Sequence, residues 1–119
     1  MHLNLLVIKT QQPKALAEFY EQLGIKFQYH RHGKGPRHYS AKIGKLVFEI
    51  YPLSKHQENP DRFLRLGFTI ADLDALILTL QKQEVEIVSV PKASKWGYYA
   101  VVKDPDGRKI ELTQIHVEL

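Results

Sequence analysis

The sequence contains no cysteine, one methionine and one tryptophan among its 119 residues. Without thiols it can form no disulfide, no thiolate metal site and no cysteine nucleophile. It also lacks any apolar run approaching the ~20 residues that carry a helix across a bilayer, so no membrane partner is expected. Met1-His2-Leu3-Asn4 does not read as a secretory leader, because no positive region precedes a long apolar stretch. The expected location is therefore the cytoplasm. Neither sign of charge dominates: 17 basic and 13 acidic residues leave a formal +4, which bears on solubility more than on nucleic acid. What is present, 44% hydrophobic and 25% charged residues, suits one ordinary globular domain. A chain of this length buries about two-thirds of its unfolded surface.

The patterning suggests one plan performed twice. Leu3 to Ile8 reads as a strand and Pro13 to Leu23 as a helix, with Leu16, Phe19, Tyr20 and Leu23 at helical spacing and Gly24 as its stop. Three strands follow, over 25–31, 37–43 and 45–51, with His32 to Pro36 as a loop. After a polar connector the order begins again: strand 63–70, helix 72–83 with Leu73, Leu76, Ile77 and Leu80 on one side, strand 85–88, loop 91–95 and strand 96–103. Asp104-Pro105-Asp106-Gly107 is a turn signal, and strand 108–115 closes the chain. Ile8 and Ile70 stand 62 positions apart, as do Glu49 and Glu111. The fold class expected is α+β: two tandem βαβββ units, 1–53 and 62–119, joined by a connector at 54–61, forming a curled mixed sheet with helices on the outer face.

Period-2 alternation assigns faces within each strand. Leu46, Phe48 and Ile50 should face a helix, leaving Val47, Glu49 and Tyr51 on the other side. Ile110 and Leu112 should be buried, with Glu111 and Thr113 opposite. Leu64, Leu66, Phe68 and Ile70 form a buried set, and Phe63, Arg65, Gly67 and Thr69 point the other way. Trp96 and Tyr98 take the same phase as Tyr51. A face mixing carboxylate, guanidinium, hydroxyl and aromatic groups has the makings of a small-molecule pocket if the sheet curls.

Leu16 to Gly24 resembles the first helix, and Val102 to Leu112 the last hairpin, of the vicinal oxygen chelate superfamily. That superfamily includes glyoxalase I, bleomycin-resistance proteins, fosfomycin-resistance enzymes and extradiol dioxygenases. The resemblance implies a curled sheet from each half, a homodimer, and a metal or ligand site in the cup. Its four metal-ligand positions fall here on Leu3, Glu49, Arg65 and Glu111. Leucine has no lone pair to donate, and a guanidinium offers only N–H groups and repels a cation. The resemblance therefore implies a small-molecule-binding protein with an incomplete metal site and no required cofactor, although the two glutamates could hold a divalent metal weakly.

Several residues are then candidates beside an ordinary reading. Glu49 and Glu111 are candidate catalytic acid/base groups or metal ligands, or else partly solvated sheet carboxylates paired with Arg65 or Lys109. Arg65, Trp96, Tyr98, Tyr51 and His38 are candidate ligand-binding groups. The aromatic ones could stack on a flat ligand or instead pack a dimer interface. His30-Arg31-His32 places two imidazoles on one side of a strand at metal-compatible spacing, and the run through Lys34, Arg37 and His38 could hold phosphate or nucleic acid; its plain reading is a solvated hairpin. His2 neighbours a missing ligand position but sits on the wrong phase. The alternatives to ligand binding are a metal-dependent lyase or isomerase of glyoxalase type and, last, a basic nucleic-acid-binding module.

Overall fold

The computed structural model describes residues 1–115. The chain divides into two compact units, Met1–Asp61 and Arg62–Leu119. The first contains β1 (Leu5–Thr10), α1 (Pro13–Gln22), β2 (Gln28–His30), β3 (His38–Ile43) and β4 (Leu46–Pro52). The second contains β5 (Leu66–Thr69), α2 (Leu73–Lys82), β6 (Ile87–Ser94), β7 (Gly97–Lys103) and β8 (Lys109–Gln114). Each unit is a four-stranded sheet with one topology, β1-β4-β3-β2 in the first and β5-β8-β7-β6 in the second. The first strand of each pairs in parallel with the last, and the remaining pairs are antiparallel. The class is the expected α+β arrangement of two βαβββ units.

Each helix closes one face of its own sheet. In the first unit Leu16, Phe19 and Tyr20 of α1 are buried with Ile8, Phe48 and Ile50. The Tyr20 ring lies 5.2 Å from Phe48, and Phe19 meets Tyr20 edge-on at 5.0 Å. In the second, Leu73, Ile77 and Leu80 are buried with Ala100, Val102, Ile110 and Leu112; Leu76, expected in the core, is only half-buried. The signals at the ends of α1 act as the sequence suggests, and α2 adds a cap that the structure shows. Pro13 begins α1, Gly24 takes φ +106° just beyond it, and the Asp72 carboxylate accepts from the Ala75 N–H at 3.1 Å to cap α2. At the end of α2 the left-handed position falls on Glu84, φ 61°.

Three expectations need correction. Residues 91–95, read as a loop from Pro91, are mostly strand: β6 runs to Ser94. Proline is tolerated there because β6 is an edge strand and its pairing with β7 shifts register between Ile87 and Ser89 and again between Ser89 and Lys92. A missing N–H at such a bulge costs no ladder bond. Trp96 is not in β7 but in the two-residue loop between Ser94 and Gly97. The repeat is also not a uniform 62. Glu49 pairs with Val7 and Glu111 with Gly67, so the last strands are offset by 62 while the first strands and helices are offset by 60. The second unit is two residues longer than the first between its helix and its last strand.

The β7–β8 turn is tied by a buried charge cluster. Arg108 Nη1 donates to Asp106 Oδ2 at 2.7 Å and to Asp104 Oδ2 at 3.2 Å, while Asp104 Oδ1 accepts from the N–H groups of Asp106 and Arg108. Burial works against the guanidinium charge, but the two aspartates outweigh it and hold its pKa above the ordinary value. Removing one member strands the others without compensation. Arg108→Ala should destabilise the protein by about 3–5 kcal/mol, and Arg108→Lys should recover only part, since an ammonium lacks the fork that grips two carboxylates. Urea unfolding midpoints of the three proteins check this.

Candidate functional site

The sheet faces turned away from the helices carry the polar chemistry, and each unit presents its own set. In the second unit, register lines up cross-strand rows: Ser89, Val101, Glu111 and Gly67 in one, and Lys92, Tyr99, Thr113 and Thr69 in the next. Arg65, Ser94 and Trp96 complete the rim of an open concavity of about 670 Å³, which Ser89, Lys92, Tyr99, Val101, Glu111 and Thr113 also line. That volume lies within the range of small-molecule sites, about 300–1,000 Å³. Gly67 adds no side chain beside Glu111, which keeps that end of the floor open.

Trp96 owes its place to the tight turn. Ser94 Oγ donates to the Gly97 carbonyl at 2.7 Å and accepts from the Trp96 N–H at 3.2 Å. Gly97 has φ +128°, and a Cβ there would stand 3.1 Å from the Gln114 carbonyl oxygen, so only glycine fits. The indole is 79% exposed. Lys95 Nζ lies 4.4 Å from its ring centroid, and Lys92 Nζ lies 5.5 Å from that of Tyr99.

Tyr98 does not share the concavity. Its O–H donates to Asp74 Oδ1 of α2 at 2.7 Å, so it stands on the helix side, and Tyr99 occupies the place expected for it. Alternation counted back to Trp96 fails because it runs through a turn, where the pleat is broken. Arg65 and Glu111 do line one hollow, but no salt bridge joins them among the described residues.

In the first unit Glu49 has different company. Its carboxylate oxygen lies 3.2 Å from Nε2 of His38, which is fully buried. His38 pairs across the strands with His30, and Ser40 with Glu49. Tyr51 stacks on the His38 ring at 4.0 Å, nearly parallel at 9°. Burial, and then the nearby Glu49 charge, hold the Tyr51 phenol above its ordinary pKa, so it keeps its proton at neutral pH. His32 joins the group: the ring centroids of His30, His32 and His38 are 4.6, 4.6 and 5.1 Å apart. Sequence reading paired His30 with His32 at metal-compatible spacing in a run reaching His38, and singled out Glu49 and Tyr51 apart from them. It missed their convergence, which requires the β3–β4 register and the turn that returns the chain at Gly33.

The metal set of the resemblance does not fit. Leu3 is 68% exposed and has no donor atom, and Arg65 carries a positive charge. The first-strand neighbours of β4, Leu5 and Val7, are no better. No step is therefore assigned to a metal at those positions.

The chain belongs to the Glyoxalase/Bleomycin resistance protein/Dioxygenase superfamily, whose family model matches residues 2–112. Among solved structures it is similar to TnmS3, an antibiotic binding protein from Streptomyces sp. CB03234. The two share 27% identity over 98% of this chain and 97% of that one, with a TM-score of 0.75. A glyoxalase/bleomycin resistance protein from the same Streptomyces is 26% identical over 95% of this chain and all of its own length, TM-score 0.71. The oxidase ChaP-H2 is similar in fold alone, 12% identical over 98% of this chain and 94% of that one, TM-score 0.77. No curated protein matches the sequence.

The Tyr98–Asp74 contact makes a measurable prediction. The hydrogen bond to Asp74, then desolvation and the Asp74 charge, raise the phenol pKa. A raised folded-state value stabilises the fold below the unfolded pKa of about 10, and that contribution is lost as pH rises through the folded value. Asp74→Asn should therefore move one tyrosine to lower pH in a tyrosinate absorbance titration.

Proposed function

We propose that the protein binds a small planar organic molecule bearing an acidic group, in the concavity of the second unit. The observation that carries this reading is the lining itself. Two aromatic rings, Trp96 and Tyr99, two cations, Arg65 and Lys92, and one carboxylate, Glu111, surround about 670 Å³. Flat rings give stacking area, the cations exceed the anion by one, and Glu111 accepts from a ligand O–H or N–H. The likeness to an antibiotic binding protein along nearly the whole of both chains supports a ligand of that size. Binding here needs no turnover. Glu111 is the side chain that would take a proton if the bound molecule were to react, because it is the carboxylate lining the space.

The single tryptophan of the chain lines this concavity, so its fluorescence reports occupancy. Planar aromatic carboxylates and phenols should quench it saturably, and their amine analogues should bind more weakly. By calorimetry, Trp96→Ala and Arg65→Ala should each lower affinity by roughly tenfold or more, with no loss of folding, since both side chains are exposed. Absence of saturable quenching across such a series removes the reading.

A further inference from the structure

We infer that the first unit holds a second site, for one divalent transition-metal ion, built from His30, His32, His38 and Glu49. One ligand atom from each of the four lies within 4.8 Å of all the others. The site shares only Glu49 with the four positions of the resemblance. It is made within one sheet by the end of β2, the start of β3 and the middle of β4.

His38 stands at the centre of the cluster. Its Nδ1 lies 3.2 Å from the Pro36 carbonyl oxygen. A carbonyl can only accept, so Nδ1 carries the hydrogen, and in neutral imidazole Nε2 then presents a lone pair. That lone pair stands 3.2 Å from a carboxylate oxygen of Glu49. Two electron-rich atoms at that distance require a positive centre between them, either a proton or a metal ion. Tyr51 does not supply it: its hydroxyl is 3.3 Å from Nε2, but the rings are nearly parallel. The hydroxyl therefore sits over the ring face rather than along the in-plane lone pair.

One further observation favours the ion over the proton, and the two that follow it show that the geometry around His38 accommodates an ion. Nε2 of His30 is buried and has no hydrogen-bond partner among the described residues, a costly state for a polar atom that coordination relieves. The 3.2 Å between His38 Nε2 and Glu49 is close to the ~3.4 Å separating two ligands each about 2.0–2.1 Å from a tetrahedral ion. The His38 Nδ1–H to carbonyl bond is the outer-shell arrangement that fixes the tautomer and aim of a metal-bound histidine. His32 is exposed and lies just past the end of β2. Its position depends on a tight turn in which the Gly35 N–H donates to the His32 carbonyl at 3.0 Å and Gly33 takes φ 56°. Its exposed ring already stands against those of His30 and His38, and a change of its rotamer is what would bring its ligand atom within coordination distance.

Three imidazoles and one carboxylate select borderline ions such as Zn²⁺ or Ni²⁺ over Mg²⁺ or Ca²⁺. The test is calorimetry and equilibrium dialysis of the tag-free chain, stripped with a chelator, against Zn²⁺, Ni²⁺ and Mg²⁺. One equivalent of Zn²⁺ or Ni²⁺ should bind, without saturable Mg²⁺ binding. His32→Ala and Glu49→Gln should each weaken it at least about tenfold, and the ring signals of His30, His32 and His38 should move together in the NMR spectrum. His38 is buried, so its own substitution could unfold the chain and is not needed. Substituting His2 or His56, which lie outside the cluster, should change nothing. The inference is overturned by absence of saturable binding, by equal binding of Mg²⁺, by affinity that survives both cluster variants, or by affinity lost with His2 or His56 instead.

Discussion

The pleat governs what each half of this protein can do. Once a helix closes one face of a sheet, every second residue of each strand is committed to the other face, and polar groups there must find partners among their cross-strand neighbours. In the first unit this commitment sets His38 beside His30 and brings it against Glu49 and Tyr51. In the second it sets Val101 beside Glu111 and Tyr99 beside Thr113. Binding chemistry here is a matter of register. A slip by one residue would exchange core for pocket along a whole strand.

The two units offer one lattice furnished in two ways. Ser40 pairs with Glu49 as Val101 pairs with Glu111, so the carboxylates occupy equivalent places. Counting along the strands from those pairs, His38 corresponds to Tyr99 and Tyr51 to Thr113. The first unit thus surrounds its glutamate with imidazoles, while the second surrounds its own with aromatic and cationic groups above an open floor. Duplication kept the acid and the scaffold, and the neighbours diverged. The difference in offset, 60 at the front of each half and 62 at its end, shows that the pairing is kept although the segment after the helix differs in length.

Much of this was legible in the sequence where it depended on local rules. Proline at a helix start, glycine at its stop and alternation in Phe48, Ile50, Ile110 and Leu112 all operate within a few residues. The losses arose where a local rule met a tertiary one. Pro91 breaks a strand in isolation, yet at a bulged edge its missing donor is harmless. Alternation through Trp96 put Tyr98 in the pocket, but a turn resets the phase and Tyr99 takes its place. The histidine cluster gathers residues from 30 to 49. Its parts were visible as individual side chains, whereas their meeting depends on hydrogen-bond register that no spacing rule supplies.

The hairpin tip carrying Lys95 and Trp96 is anchored by Ser94 and Gly97, through one hydroxyl and one backbone conformation. The two side chains between those anchors are exposed and add nothing to the interior. Natural drift at these two codons is thus nearly free of folding consequences, while it alters what meets an incoming molecule. A binding site at this tip would therefore be able to change its preference quickly on a frame that stays still.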